Sequence, residues 1–184
     1  MSIREILRLG NPTLRQRCAP VSDPGSDRVA STIKDLADTL AHWRSTTGYG
    51  RGIAAPQIGV LERIVFMNID HDWPLINPTI VAASERMVTV WDACLSFLSI
   101  FCQVERHEWV TVRFQDQAQA WHELRAEGDL SELLQHEIDH LDGVLAVDRM
   151  TDVRTLCSRE EFELRYRDAS PYKASASRPR TLGT

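Results

Sequence analysis

His136-Glu137-Ile138-Asp139-His140 sets two imidazoles four residues apart with a carboxylate beside the first. On an α-helix, residues four apart lie one turn above each other on the same face. Both histidines can then reach one ion. Glu137, itself not a ligand, is placed to work on a water at that ion. This spacing serves metal-assisted hydrolysis. The simpler alternative is a polar helix face whose five-residue pattern arose by chance.

Two imidazoles need at least one more protein ligand to hold a catalytic ion. Two candidates give different enzymes. Glu160 lies downstream, at a separation that suits a zinc endopeptidase with a glutamate as third ligand. Cys94 lies upstream, at the end of a strand-like run, in the unusual setting Asp92-Ala93-Cys94-Leu95-Ser96. Cys18, Cys102 and Cys157 read as buried structural thiols. A second unusual stretch runs Gly48-Tyr49-Gly50-Arg51-Gly52-Ile53-Ala54-Ala55-Pro56-Gln57-Ile58-Gly59. Small residues let a backbone approach a ligand closely. No Gly-Lys-Ser/Thr follows, so a phosphate loop is disfavoured. The segment reads instead as a walled site with the Gln57 amide aimed into it.

The elements that must hold these groups follow from periodicity. Asn11-Pro12 opens a short helix to about Arg17, with proline at an early position where its missing N–H costs little. Asp23-Pro24-Gly25 is a loop. A longer helix is expected from about Asp27 to Ser45. Val29, Ile33, Leu36, Leu40 and Trp43 form its buried stripe, and His42 lies beside the stripe as a surface or half-buried residue, not a ligand. Strands are expected over Arg63–Ile69, Leu75–Val81, Met87–Trp91, Val104–Phe114 and Ala120–Arg125. His71-Asp72 is a turn, Pro78 marks an edge or bulge, and His107 and His122 face solvent. The histidine helix begins near Asp129, where Asp129 and Glu132 have capping-box spacing. Leu130, Leu133, Leu134, Ile138 and Leu141 form its buried face, and Gly143 suits its end. Val144–Val147 reads as a short strand and Ser158–Asp168 as a charged helix. From Ala169 on, Ser, Pro, Ala and Arg dominate, and residues 169–184 are expected to be a disordered tail on a single catalytic domain of residues 1–168.

Composition narrows the classes. The 184 residues, 43% of them hydrophobic and 26% charged, suit one soluble domain with a real core. A net charge of −5 without a long basic run argues against a dedicated DNA or RNA binder. No run is long enough for a membrane span, and the opening Met-Ser-Ile-Arg-Glu-Ile-Leu-Arg lacks the continuous apolar segment of a signal peptide. Four cysteines in such a chain point to reduced thiols and a cytoplasmic location.

Three stretches in order decide between the candidate ligands: Gly50-x-Gly52-Ile53-Ala54-Ala55-Pro56-Gln57, then Cys94-Leu95-Ser96, then His136-Glu137-x-Asp139-His140-Leu141-x-Gly143. Together they resemble the peptide deformylase family, over about Ile3 to Met150. The opening Ile3-Arg4-Glu5-Ile6-Leu7 and Leu75-Ile76-Asn77-Pro78 join the likeness. The resemblance implies an α+β fold with antiparallel strands packed around a central metal-binding helix. It implies Cys94, His136 and His140 as ligands of one divalent metal, Fe²⁺ first, with Zn²⁺, Ni²⁺ or Co²⁺ able to take its place. It implies Glu137 as the acid–base group, with Gln57 and the Leu95 backbone N–H holding the oxyanion. The activity implied is removal of an N-formyl group from N-formylmethionyl peptides, releasing formate, as a step of protein biosynthesis. Ribosome association is compatible with it. The backbone of Gly50–Gly52 and of Ala93 would pair with the substrate, and Arg51, Val90, Asp129, Glu132 and Leu133 are the further substrate-binding positions.

This sequence departs from the family pattern in places. The second motif is usually Glu-Gly-Cys-Leu-Ser. Here Ala93 replaces the glycine and Asp92 the glutamate, with Arg106 its expected partner. Asp129, Glu132 and Arg51 stand where apolar residues usually line the methionine pocket. Two outcomes are open for the acids: exposed helix-start residues favoured by the dipole, or a pocket altered for a basic or polar group. The alternatives to a deformylase of formylmethionyl peptides are therefore a paralogue acting on a different N-formyl compound and a weakly active or inactive metal-binding paralogue.

Overall fold

The computed structural model describes residues 3–172. Two antiparallel sheets flank a buried helix. The larger sheet has the order β1 (Gly52–Ala54), β2 (Ile64–Asn68), β3 (Asp72–Ala83), β6 (Trp109–Gln115) and β7 (Trp121–Glu127). The smaller pairs β4 (Met87–Cys94) with β5 (Phe97–His107) and β5 with β8 (Cys157–Ser158). Helix α1 (Asp27–Thr47) presents Val29, Ile33, Leu36 and Leu40, the expected stripe, to a core shared with Ile53, Ile64 and Phe66. His42 is exposed, as expected.

Helix α2 (Gly128–Leu141) sits on the other side of the larger sheet, its Leu133, Leu134, Ile138 and Leu141 packed with Val65, Met67, Val110 and Val112. It also touches β5 of the smaller sheet. Every residue from Ser131 to Leu141 is buried, so its polar face is enclosed as fully as its apolar one. Each polar side chain there must find a partner inside the protein, which is how a helix comes to carry a site.

Several expected boundaries shift. The segment after Asn11 is a single 3₁₀ turn, Pro12–Arg15, with the Asn11 side chain accepting from the Thr13 N–H at 2.9 Å. The expected strand Val104–Phe114 is two strands broken at Glu108, because β5 and β6 belong to different sheets. Asp72 opens β3 instead of sitting in the turn. At Pro78 the β3–β6 register shifts, so the proline marks a bulge within an interior strand. Asn77 there takes a φ of 53°, and its side-chain amide completes the pairing with Val21 and Gln115. Val144–Val147 is not a strand: a 3₁₀ turn, Ala146–Arg149, follows α2. Helix α3 (Arg159–Arg165) is capped by Ser158 and anchored by Phe162, whose ring stacks on Phe101 at 4.1 Å between centroids. Of the expected tail, Ser170 is buried and Tyr172 packs against Gly128, while residues 173–184 lie outside the described residues. No helix among the described residues is long and apolar enough to cross a membrane.

Candidate active site

Three elements converge on one point. Strand β4 ends at Cys94, where the register jumps from Asp92 opposite Cys102 to Cys94 opposite Phe97. The break bends the strand end out of the regular ladder and toward α2. Ala93, at the break, lies outside the left-handed region, so the methyl that replaces the usual glycine strains nothing. Helix α2 supplies His136, Glu137 and His140. Gln57 comes from the 3₁₀ turn Ala55–Ile58, whose backbone follows β1 directly.

One donor atom from each of Cys94, His136 and His140 falls within 4.8 Å of the others, and all three residues are buried. Cys94 Sγ lies 3.2 Å from His140 Nε2. His136 is oriented from behind: its Nδ1 lies 2.9 Å from Asp92 Oδ1, which leaves Nε2 for the cluster. Asp92 is in turn held by Arg106 Nη2 at 2.8 Å, the expected pairing. Arg106 continues to Asp139 at 2.5 Å, and Asp139 accepts from Arg149 Nε and Nη2 at 2.5 and 2.6 Å. A chain of alternating charge thus runs from His136 through the interior to Arg149. Burial opposes a charge on His136, but the Asp92 carboxylate overrides it and holds the imidazole well above its ordinary pKa. Among the described residues His140 has no such partner; burial, then the neighbouring His136, push it well below. Cys18 and Cys102 are buried, as expected, and burial raises them to about 11 and about 12, whereas Cys157 is only half-buried.

Glu137 is enclosed beside these three side chains. Its Oε2 finds no partner among the described residues. Burial raises its pKa to about 7 against the opposing pull of His136, with a smaller push from the Asp92 charge. Gly52 makes room for it: a β-carbon on that residue would sit 2.6 Å from Glu137 Oε1. The Gln57 amide has a fixed sense. Its Oε1 accepts from the Ala54 N–H at 2.9 Å, so its Nε2 donates toward Ser96 Oγ at 3.2 Å and Cys94 Sγ at 3.5 Å.

The cleft over this cluster is narrow, with about 40 Å³ of free space, room for a few waters. Of the residues expected to bind substrate, Gly50, Arg51, Gly52, Ala93, Glu132 and Leu133 line it, together with Gln57 and Leu95. Val90 does not; it is buried with Cys102 and Val104. Asp129 is half exposed and reaches the cleft only through Arg51. The capping box is not formed. Glu127 is the N-cap, without a side-chain bond, and Glu132 turns inward to Arg51 at 2.8 Å. The reading of Asp129 and Glu132 as a pair of exposed acids therefore fails for Glu132. Glu160, the alternative third ligand, is exposed on α3. His107 is half-buried, its Nδ1 2.7 Å from the Ser84 carbonyl, whereas His122 is exposed beside Asp116. Trp43, Tyr49 and Arg159 also line the cleft, and sequence reasoning did not reach them. Trp43 was visible only as part of a helical stripe. Arg159 arrives from the far end of the chain to lie 4.1 Å over the Tyr49 ring, a contact that no local pattern announces.

A model of the polypeptide deformylase family matches residues 3–155, a range that contains all three elements of the site. The chain belongs to the polypeptide deformylase family. Among similar proteins, the peptide deformylase of Thermotoga petrophila is 34% identical over 154 residues, covering 83% of this chain and 90% of that one. That of Thermomicrobium roseum is 39% identical over 166 residues, covering 85% and 90%. The crystal structure of the Thermotoga maritima peptide deformylase superposes with a TM-score of 0.77 at 32% identity, over 83% of this chain and 100% of that one. A peptide deformylase from Synechococcus elongatus, in complex with actinonin, gives 0.77 at 31% identity over 84% and 82%. Membership of the deformylase family makes this chain a metal-dependent hydrolase with an α+β fold, and Cys94, His136 and His140 are a group that could hold the metal. Helix α3, which brings Arg159 to the cleft, begins beyond the residues matched by the family model.

Proposed function

We propose that this protein hydrolyses the formamide at the amino terminus of N-formyl peptides, releasing formate and a free amine. The observation that carries the reading is the enclosure of Glu137, raised to a pKa of about 7, directly beside three converging donor atoms. The donor set fits a divalent ion. A thiol and two imidazoles converge, all buried, and the carboxylate behind His136 fixes which ring nitrogen faces them. Cys94, His136 and His140 would hold the ion. Fe²⁺ is the expected occupant, with Zn²⁺, Ni²⁺ and Co²⁺ as alternatives, and when bound it supplies a Lewis acid that polarises the formyl carbonyl and makes water more acidic.

The chain's own residues do the rest. Glu137 takes a proton from the attacking water and delivers it to the departing amine; a pKa near neutrality suits both transfers. The Gln57 Nε2–H, whose direction is set by Ala54, and the Leu95 N–H stabilise the oxyanion of the tetrahedral intermediate. Asp92 keeps His136 in one tautomer, and Arg106 keeps Asp92 in place. The backbone of Gly50–Gly52 and Ala93 receives the peptide as an added strand. With such a substrate goes a cytoplasmic setting.

The test is formate release from formyl-Met and formyl-Gly tripeptides, using protein loaded with Fe²⁺ and kept free of oxygen. Turnover that falls by about 10²-fold or more in Glu137→Ala is the expected result. Protein that binds one metal per chain yet releases no formate from any formyl peptide would overturn the reading.

A further inference from the structure

One wall of the cleft is an ion pair. Arg51, just before β1, meets Glu132, on the second turn of α2, at 2.8 Å between Nη2 and Oε2. Their side chains are only 12% and 8% exposed. Arg51 Nη1 also reaches the Asp129 carbonyl at 3.3 Å and Asp129 Oδ2 at 3.5 Å. Glu132 stands one helical turn before His136, so the pair adjoins the ligand-bearing face. Two buried donors of the same lining, Arg51 Nε and Trp43 Nε1, have no acceptor among the described residues.

These groups decide what can enter. An apolar side chain would strip water from the ion pair and from both unsatisfied donors and return no hydrogen bond, which is costly in a buried site. A cationic side chain would have to displace Arg51 or lie against it. An anionic one would lie against Glu132. A carboxamide presents an acceptor and a donor on one planar group, the complement of a guanidinium beside a carboxylate.

We infer that the Arg51–Glu132 pair makes this subsite select N-formyl substrates whose first side chain is a carboxamide, of the glutamine or asparagine type, over methionine. The side-chain carbonyl accepts from Arg51 and its amino group donates to Glu132. The inference rests on the deformylase reading above, and it replaces formylmethionine as the preferred first residue.

The experiment uses five formyl tripeptides that differ only in the first residue: Gln, Met, Lys, Glu and Gly. Formate release is followed with metal-loaded protein, and binding of the corresponding unformylated tripeptides to metal-free protein is measured by calorimetry. The expected result is a preference of about tenfold or more for Gln over Met in both, since a site built to hydrogen-bond its ligand discriminates strongly against one that cannot. Arg51→Leu/Glu132→Leu removes both charges together and leaves no lone buried ion; it is expected to reverse the order of Gln and Met. Should that variant fail to fold by thermal melting, Glu132→Gln serves, with the Gln preference expected to shrink. Wild-type protein that favours Met, Lys or Glu over Gln in both measurements overturns the inference and leaves deformylation standing. Failure to release formate from all five, formyl-Gly included, overturns the deformylase reading, and the calorimetric order then decides the subsite by itself.

Discussion

Arg106 is the residue whose loss should reveal how the interior is held. It is 2% exposed and lies between two buried carboxylates, Asp92 at 2.8 Å and Asp139 at 2.5 Å. Arg106→Leu keeps the bulk but removes the guanidinium that bridges them. Each acid retains one partner: Asp92 keeps His136, and Asp139 keeps Arg149. That places the cost at the lower end of the range for breaking a buried pair, about 3 kcal/mol. For a domain of this size it corresponds to a fall in Tm of roughly 6–12 °C. Arg149→Leu is the control. Arg149 is about half exposed on the same Asp139, so its removal should cost less than about 1 kcal/mol. Urea unfolding of the three metal-free proteins, monitored by circular dichroism, gives both numbers. A second consequence is read from metal affinity. Asp92, no longer anchored, orients His136 less well, and loss of such outer support weakens metal binding by about 10–100-fold. If Arg106→Leu costs no more than Arg149→Leu and leaves metal affinity intact, the charge chain neither stabilises the interior nor positions the histidine.

Two further outcomes follow from Glu137. Gly52→Ala would put a methyl 2.6 Å from Glu137 Oε1, and the enclosed carboxylate must move; formate release should fall by about 10²-fold, while metal content, measured by atomic emission, stays at the wild-type level. The folded-state pKa of Glu137, about 7, lies above its ordinary value of 4.5, so the folded protein binds this proton more tightly than the unfolded one. Its contribution to stability is complete below about pH 4.5 and is lost as pH rises through about 7, a loss of roughly 3 kcal/mol across that window. The stability of metal-free wild type minus that of Glu137→Gln should therefore fall between pH 5 and pH 8; a difference that is flat or rises refutes the assignment.

The site's chemistry was legible because it is local. His136, Glu137 and His140 lie within two turns of one helix, and helical spacing alone brings them to one face. Cys94 was legible only through its flanking motif, since the geometry that brings it to His140 is set by a register break between β4 and β5 that no spacing rule foretells. The α1 stripe and most strands could be read from periodicity. The errors occurred where tertiary structure overrides local preference. Val104–Phe114 is a continuous β-forming run, yet it divides because its two halves pair with different sheets. Asp129 and Glu132 have the spacing of a cap, yet Glu132 turns inward because Arg51, distant in sequence, neutralises it there. The Arg106–Asp139–Arg149 continuation was hidden for the same reason: charged residues in sequence look solvated until a fold encloses them.

The ligand cluster also has a mechanical meaning. Cys94 terminates a strand of the smaller sheet, whereas both histidines ride on a helix bedded against the larger one, and Cys94 and His140 are 46 residues apart in sequence. An ion gripped by all three would act as a clasp between two sheets that, among the described residues, share no strand pairing with each other. Its binding energy then adds directly to the cohesion between the sheets. Hydrogen exchange should see the clasp. With the metal removed, amides of β4 and β5 should open at a lower free energy than those of β2 and β3, and with the metal bound the two sets should open together. A metal at the proposed site would thereby decide whether the protein behaves as one cooperative body or as two.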